Sequence, residues 1–272
     1  GFKEGDWISA GINIAKDEAG DLDYKHSFNG ISAAYHMTLG KKQNAVLTLG
    51  AKYGKYGKGI TSTNVSDYLS PYILSGQIND LDVNNLTAQG QDLSIDEAND
   101  FMVGLLLSAP MGDNSDIRIG ISSDHLLAPT LRVSQQMGTS GPITQRLDRR
   151  INGVVQFYTD LTDNITFNPS LVFQSMGESS NILVQSLFSY HMPGKDDLAL
   201  TFGLGYRMSD NSVLPFYMGA DMKDMRIGIS YAINMGGLSG AGREGGFELG
   251  LTKIFSWNKK AKVKPIFVCP RL

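Results

Sequence analysis

Four histidines, one cysteine and a few clustered polar stretches are the residues of this chain with chemistry to offer, and each supports a specific reading. His26, His36, His125 and His191 could ligate a metal, but none stands in H-x-x-x-H spacing, so no metal site is expected. Ser122, Ser123, Asp124 and His125 hold the groups of a nucleophile, an acid and a base. Neighbours on a strand point to opposite faces, however, so these side chains cannot simply converge into a triad. A structural, hydrogen-bonded His125 at a loop base is the plainer reading. The run Gly236, Gly237, Leu238, Ser239, Gly240, Ala241, Gly242 invites a phosphate-loop reading, yet no Gly-Lys-Ser/Thr ending and no following helix support it, and a flexible loop tip explains the glycines better. Cys269 has no partner for an internal disulfide and reads as a free structural thiol. The chemistry-bearing residues therefore point to a non-enzymatic protein without metal or cofactor.

The elements that carry these residues are legible from a two-residue rhythm. Ile227, Ile229, Tyr231 and Ile233 alternate with Arg226, Gly228, Ser230 and Ala232, and Leu198, Leu200, Phe202, Leu204 and Tyr206 alternate with Ala199, Thr201, Gly203, Gly205 and Arg207. A soluble sandwich would turn Lys, Glu and Thr to water on its polar face. Here the second face is small, which suits a crowded wet lumen with the apolar face against lipid. Thirty-one glycines exceed the usual share of about 7%, and many fall inside strands, where a curved or crowded lumen gives them a use.

Length and composition leave room for one large sheet: 272 residues, 42% hydrophobic, with no run of about 18 apolar residues to form a spanning helix. A mean hydropathy of -0.13 is compatible with a barrel, in which only alternate residues need be apolar. The net charge of -3 argues against nucleic acid as the main partner.

Twelve strands are expected, at 6–15, 26–38, 44–53, 99–109, 115–124, 148–160, 164–174, 180–190, 197–207, 211–220, 224–234 and 244–255. Tight polar turns at 40–43, 110–114, 160–164, 193–197 and 221–224 alternate with more variable links at 16–25, 54–98, 123–147, 175–179, 208–210 and 235–243. Short periplasmic turns and longer outside loops are the pattern of outer-membrane barrels, which would put the end of the last strand in the periplasm. Residues 1–272 thus form a single all-β, up-and-down antiparallel transmembrane β-barrel, and the chain start, Gly1 without an initiator Met, reads as processed or truncated. The 54–98 segment is read as an ordered extracellular loop, since a link longer than about 15 residues is usually functional or disordered. Segment 123–147 would extend its strand above the membrane and fold back. The tail 256–272, with Lys259, Lys260, Lys262 and Lys264, reads either as a solvated periplasmic end or as a contact with a partner. Arg118, Arg207, Arg226 and Glu248 fall on the small-residue face and are expected to form a lumenal hydrogen-bond network.

The stretch from Ser115 through Ile117, Arg118, Ile119, Gly120, Ile121, Ser122, Ser123, Asp124, His125, Leu126, Leu127 and Ala128 to Pro129 resembles one found in PorP/SprF-type proteins of the Bacteroidetes type IX secretion system. The strand from Arg243 through Phe247 and Glu248 to Leu251, and the ending Cys269-Pro270-Arg271-Leu272, resemble that family's last strand and its C-P-R-aromatic terminus. Leu272 stands where an aromatic is common, and the family's N-terminal Asn-Pro-Ala segment with its first strands is absent. With those strands the complete barrel would have about fourteen.

The resemblance implies an integral outer-membrane protein of the secretion or gliding-motility machinery. Its partner would be the C-terminal domain of a large secreted adhesin or surface protein, which it binds and anchors or helps export, alongside other secretion components. The expected gripping residues lie on the outside loops: Tyr68, Tyr72 and Leu74 in 54–98, His125, Leu126 and Arg132 in 123–147, and Arg243. Two rivals remain. One is an outer-membrane channel or porin for small solutes, and the other a soluble β-sandwich such as a lectin, which large exposed apolar faces make hard to keep dissolved.

Overall fold

The computed structural model describes residues 5–19, 24–40, 44–60, 96–135, 142–194, 198–209, 212–235 and 245–255. These form fourteen strands with no helix among them. The strands are β1 (Trp7–Ala19), β2 (Tyr24–Leu39), β3 (Ala45–Ile60), β4 (Asp96–Pro110), β5 (Ser115–Asp124), β6 (Thr130–Gln135), β7 (Pro142–Arg146), β8 (Arg150–Thr162), β9 (Ile165–Met176), β10 (Ser179–His191), β11 (Leu198–Met208), β12 (Val213–Met222), β13 (Met225–Asn234) and β14 (Gly245–Lys253).

Twelve of them make one antiparallel sheet in which β1 to β5 are followed by β8 to β14, each beside its neighbours in this order. The remaining two, β6 and β7, form a separate hairpin inserted between β5 and β8. The twelve strands match the twelve expected from the alternation, and β5 has the expected bounds. Within the described residues β1 and β14 each pair on one side only, so both leave backbone groups open at the sheet edge.

The register carries the alternation across the sheet. Phe202 lies opposite Met218, Met218 opposite Ile229, and Ile229 opposite Leu249, all exposed on one face. Phe216, Tyr231 and Phe247 form a parallel aromatic row nearer the long-link end, the arrangement found where a barrel meets the lipid headgroups. Ile12, Ile31, Leu49, Leu105, Ile119 and Ile121 continue the exposed apolar belt on the first strands. The fold is thus that of an all-β antiparallel transmembrane barrel, apolar outside and polar within.

The first strands run longer than the alternation indicates. β2 and β3 have 16 residues and β4 has 15, whereas β11 to β14 have 9 to 11. Above the opposed pair Tyr53 and Phe101, outward positions become polar, with Lys55 opposite Asn99 and Gly57 opposite Glu97. Lys55 and Glu97 approach to 3.5 Å, and Lys16 to 2.9 Å from Glu18. Backbone pairing needs no apolar side chain once the strand has left lipid, so the ladder continues where the sequence pattern stops. Most of the expected 16–25 link is consequently strand.

Candidate functional site

The buried centre of the protein lies at the end where the long links emerge. Lumen-facing Phe28 from β2 and Tyr56 from β3 meet Leu131 of β6 and Leu147, which follows β7, with Ala98, Met102 and Met176 packed around them. Phe28 can lie flat because Gly30 and Gly54 face each other beneath its ring. A Cβ at Gly54 would come within 2.3 Å of the Asn29 carbonyl oxygen, and one at Gly30 within 2.4 Å of the Tyr53 carbonyl oxygen, so only glycine fits at either place. Lys52 sits 4.0 Å from the centre of the Phe28 ring.

His125 terminates β5 by turning the chain inward with φ 55°, and Ala128 follows with φ 45°. Its ring is 3% exposed and its Nδ1 lies 2.7 Å from Oδ2 of Asp100, which is fully buried on the lumen face of β4. The other carboxylate oxygen, Oδ1, accepts the Phe101 N–H at 2.9 Å. Tyr56 packs edge-on against His125 at 4.8 Å, and His26 edge-on against Tyr56 at 4.7 Å. Leu126 N–H donates to the Phe101 carbonyl, Leu147 N–H to that of Pro129, and Arg149 Nε to that of Leu126. A buried pair whose two carboxylate oxygens both have partners fixes one geometry, whereas loss of either partner strands the other.

The remainder of the Ser-Asp-His stretch serves the wall. Asn152 Nδ2 donates at 3.1 Å to both Ser122 Oγ and Asp124 Oδ2, and Arg150 holds the same oxygen of Asp124 at 2.6 Å. His125 is engaged by Asp100 and no triad assembles among the described residues, as strand geometry requires.

The far half of the lumen is different. A cavity of about 900 Å³ is bounded by β8 to β14 and lined by Gln156, Asn168, Gln185, Thr201, Arg207 and Ser230, among others. The Tyr217 ring lies down over Gly219 and Gly228, whose absent side chains make room for it. The charges expected inside are there: Arg118 stacks on Tyr158 at 4.6 Å, Arg226 pairs with Asp221, and Ser230 donates to Glu248 at 3.4 Å. Asn168 Oδ1 and Ser170 Oγ are buried without a hydrogen-bond partner among the described residues, so water in the lumen has acceptors to serve. At the tight-turn end Asp224 takes a hydrogen bond from Lys253, which holds its carboxyl below the usual carboxylate range.

Of the expected gripping residues, His125 is enclosed rather than displayed, Leu126 is half-buried behind it, and Arg132 falls on β6 opposite Thr144. Tyr68, Tyr72, Leu74, Arg243 and the 256–272 tail with Cys269 lie outside the described residues. The sequence reading missed Asp100. Its place on the lumen face between Ala98 and Met102 marks it as a residue in need of a partner, but nothing in the sequence points to His125.

Among solved structures, the CymD monoaromatic hydrocarbon channel is 10% identical over 84% of this chain and 74% of its own, with a TM-score of 0.47. The toluene transporter TodX of P. putida is 11% identical over 84% of this chain and 70% of its own, with a TM-score of 0.42. No curated protein matches the chain. The family described as type IX secretion system membrane protein PorP/SprF matches residues 2–252. With that match spanning almost the whole chain and every described strand, the protein belongs to the PorP/SprF family of type IX secretion system membrane proteins.

Proposed function

We propose that this protein is an outer-membrane barrel that binds the C-terminal domain of a large secreted surface protein and anchors it, or assists its export, by contact rather than by catalysis. The observation that carries the reading is the packed long-link end, where walls of 15 and 16 residues rise past the apolar belt around the Phe28, Tyr56, Leu131 and Leu147 cluster. A rigid platform of this kind lowers the ordering cost of gripping another chain. Family membership supplies the machinery.

In this reading the long links face the cell exterior and the tight turns the periplasm. Tyr68, Tyr72 and Leu74 supply aromatic and apolar contacts, Leu126, Arg132 and Arg243 border them, and His125 contributes indirectly by holding the platform. The turns and the 256–272 tail would meet other secretion components.

The test is co-purification from native outer membrane in mild detergent, followed by mass spectrometry of what remains bound. A secreted protein held through its C-terminal region is the expected result, and replacing Tyr68, Tyr72 and Leu74 together with Ala should weaken that retention while leaving the barrel folded. A lone barrel that conducts ions would move the function to solute transport.

A further inference from the structure

The β6–β7 hairpin is not draped over the rim. The side chains packed with Leu131 and Leu147 come from the lumen faces of β2, β3, β4 and β9, namely Phe28, Tyr56, Ala98, Met102 and Met176. In sheet order β5 and β8 stand between β4 and β9. A segment that touches lumen-facing residues on both sides of that gap lies inside the curl of the sheet. Leu131 is 2% and Leu147 4% exposed, as deeply enclosed as anything apolar in the described protein. Below them is a cavity of about 630 Å³, lined by Ser9, Ser32 and Lys52 on the wall and by Phe28, Tyr56 and His125 on the hairpin side.

Both legs of the hairpin are tied down. On the entering side His125 is clasped by Asp100 at 2.7 Å and Leu126 N–H bonds the β4 backbone at Phe101. On the leaving side Leu147 N–H bonds the Pro129 carbonyl at 2.9 Å, and Arg149 Nε reaches the Leu126 carbonyl at 3.2 Å. Left-handed backbone at His125 and Ala128 sends the chain inward instead of onward along β5. Two non-glycine residues in that conformation within four positions are a built feature.

We propose that β6 and β7, carried on legs hinged at His125 and Leu147 and latched by the His125–Asp100 pair, are a plug that closes the lumen at the long-link end. The stretch Asp124-His125-Leu126-Leu127-Ala128-Pro129 is its latch. The lumen is then shut to solutes in the resting protein, and a bound partner is held from outside. The proposal does not depend on which partner binds: a plugged barrel with no secreted partner would overturn the anchoring reading alone, and a conducting barrel that still holds one would overturn the plug alone.

The complete protein reconstituted in planar bilayers tests it. Wild-type protein should show no through-conductance, and a variant with 131–146 replaced by Gly-Ser-Gly should conduct in discrete steps. A Leu131→Cys, Met102→Cys pair in a Cys269→Ser background, oxidised to a disulfide, should stay silent. Wild-type conductance equal to that of the shortened variant overturns the plug, as does a shortened variant that is folded, by heat-modifiable mobility in gels, yet silent. Should the shortened variant not fold, Leu131→Cys in the Cys269→Ser background gives a second reading with a charged, membrane-impermeant maleimide. Adding Asp100→Ala should raise its labelling rate about tenfold or more, because a buried pair that has lost one partner no longer holds its segment shut. An unchanged rate overturns the latch.

Discussion

The wall of β2 to β4 and the wall of β11 to β14 are built on the same alternation but do different work. The first exceeds the second by about five residues per strand, roughly 17 Å of extra ladder, and uses it to enclose apolar side chains and a buried His–Asp pair. The second stops near its aromatic row and encloses a polar cavity of about 900 Å³. Strand length beyond the membrane therefore distinguishes the side that builds a platform from the side that only completes the barrel. Glycine follows the same division. On the tall wall Gly30 and Gly54 are confined by backbone, whereas on the short wall Gly219 and Gly228 are confined by the tip of a movable tyrosine.

The sharpest way to separate the walls is Asp100→Ala. Leaving the buried His125 ring without its partner should cost about 1–3 kcal/mol locally. Hydrogen exchange should accelerate in β6, β7 and the upper part of β4 while β11 to β14 keep their protection, and uniform acceleration would erase the distinction. Ile229→Arg attacks the short wall where it faces lipid. It should cost about 2–4 kcal/mol of folding stability in bilayers. Lys55→Leu, on the tall wall past the belt, should be close to neutral in the same urea titration. Gly54→Ala must displace backbone or the Phe28 ring and should cost about 1–3 kcal/mol. Gly219→Ala needs the Tyr217 ring, but no backbone, to swing away and should cost less, about 1 kcal/mol. Equal costs would show that the glycines do not report on wall packing.

The smallest effect concerns the turn at Lys223 and Asp224. Because Lys253 lowers the folded-state carboxyl of Asp224, the contribution is present at neutral pH and is lost as pH falls through that lowered value. Wild type should thus lead Lys253→Gln slightly at neutral pH and converge with it in acid. Divergence in acid would reverse the sign.

The membrane-embedded part of this fold was legible because lipid imposes a rule that sequence must obey at every second position, as Ile227 to Ile233 do. What lies above the belt was not. Lys55, Glu97 and Asn99 carry no periodic signal, so β3 reads as ending at residue 53 and β4 as beginning only at residue 99. The hairpin escaped because β6 and β7 have only 6 and 5 residues and a register shift between Arg132 and Ser134, too short for a period to register. His125 was visible as a loop-base residue, but its partner sits 25 positions away and is set by sheet register, which the sequence does not state.

The most direct test of the account is lysine cross-linking with mass spectrometry on the complex isolated from native outer membrane. Lys16, Lys25, Lys55 and Lys58 stand at the long-link end of the tall wall, and Lys223 and Lys253 at the tight-turn end. The expected result is a set of cross-links from the C-terminal region of a secreted protein to the first group. Cross-links from such a protein to Lys223 and Lys253 alone, or none from any secreted protein, would contradict the claim that the tall wall is the anchor.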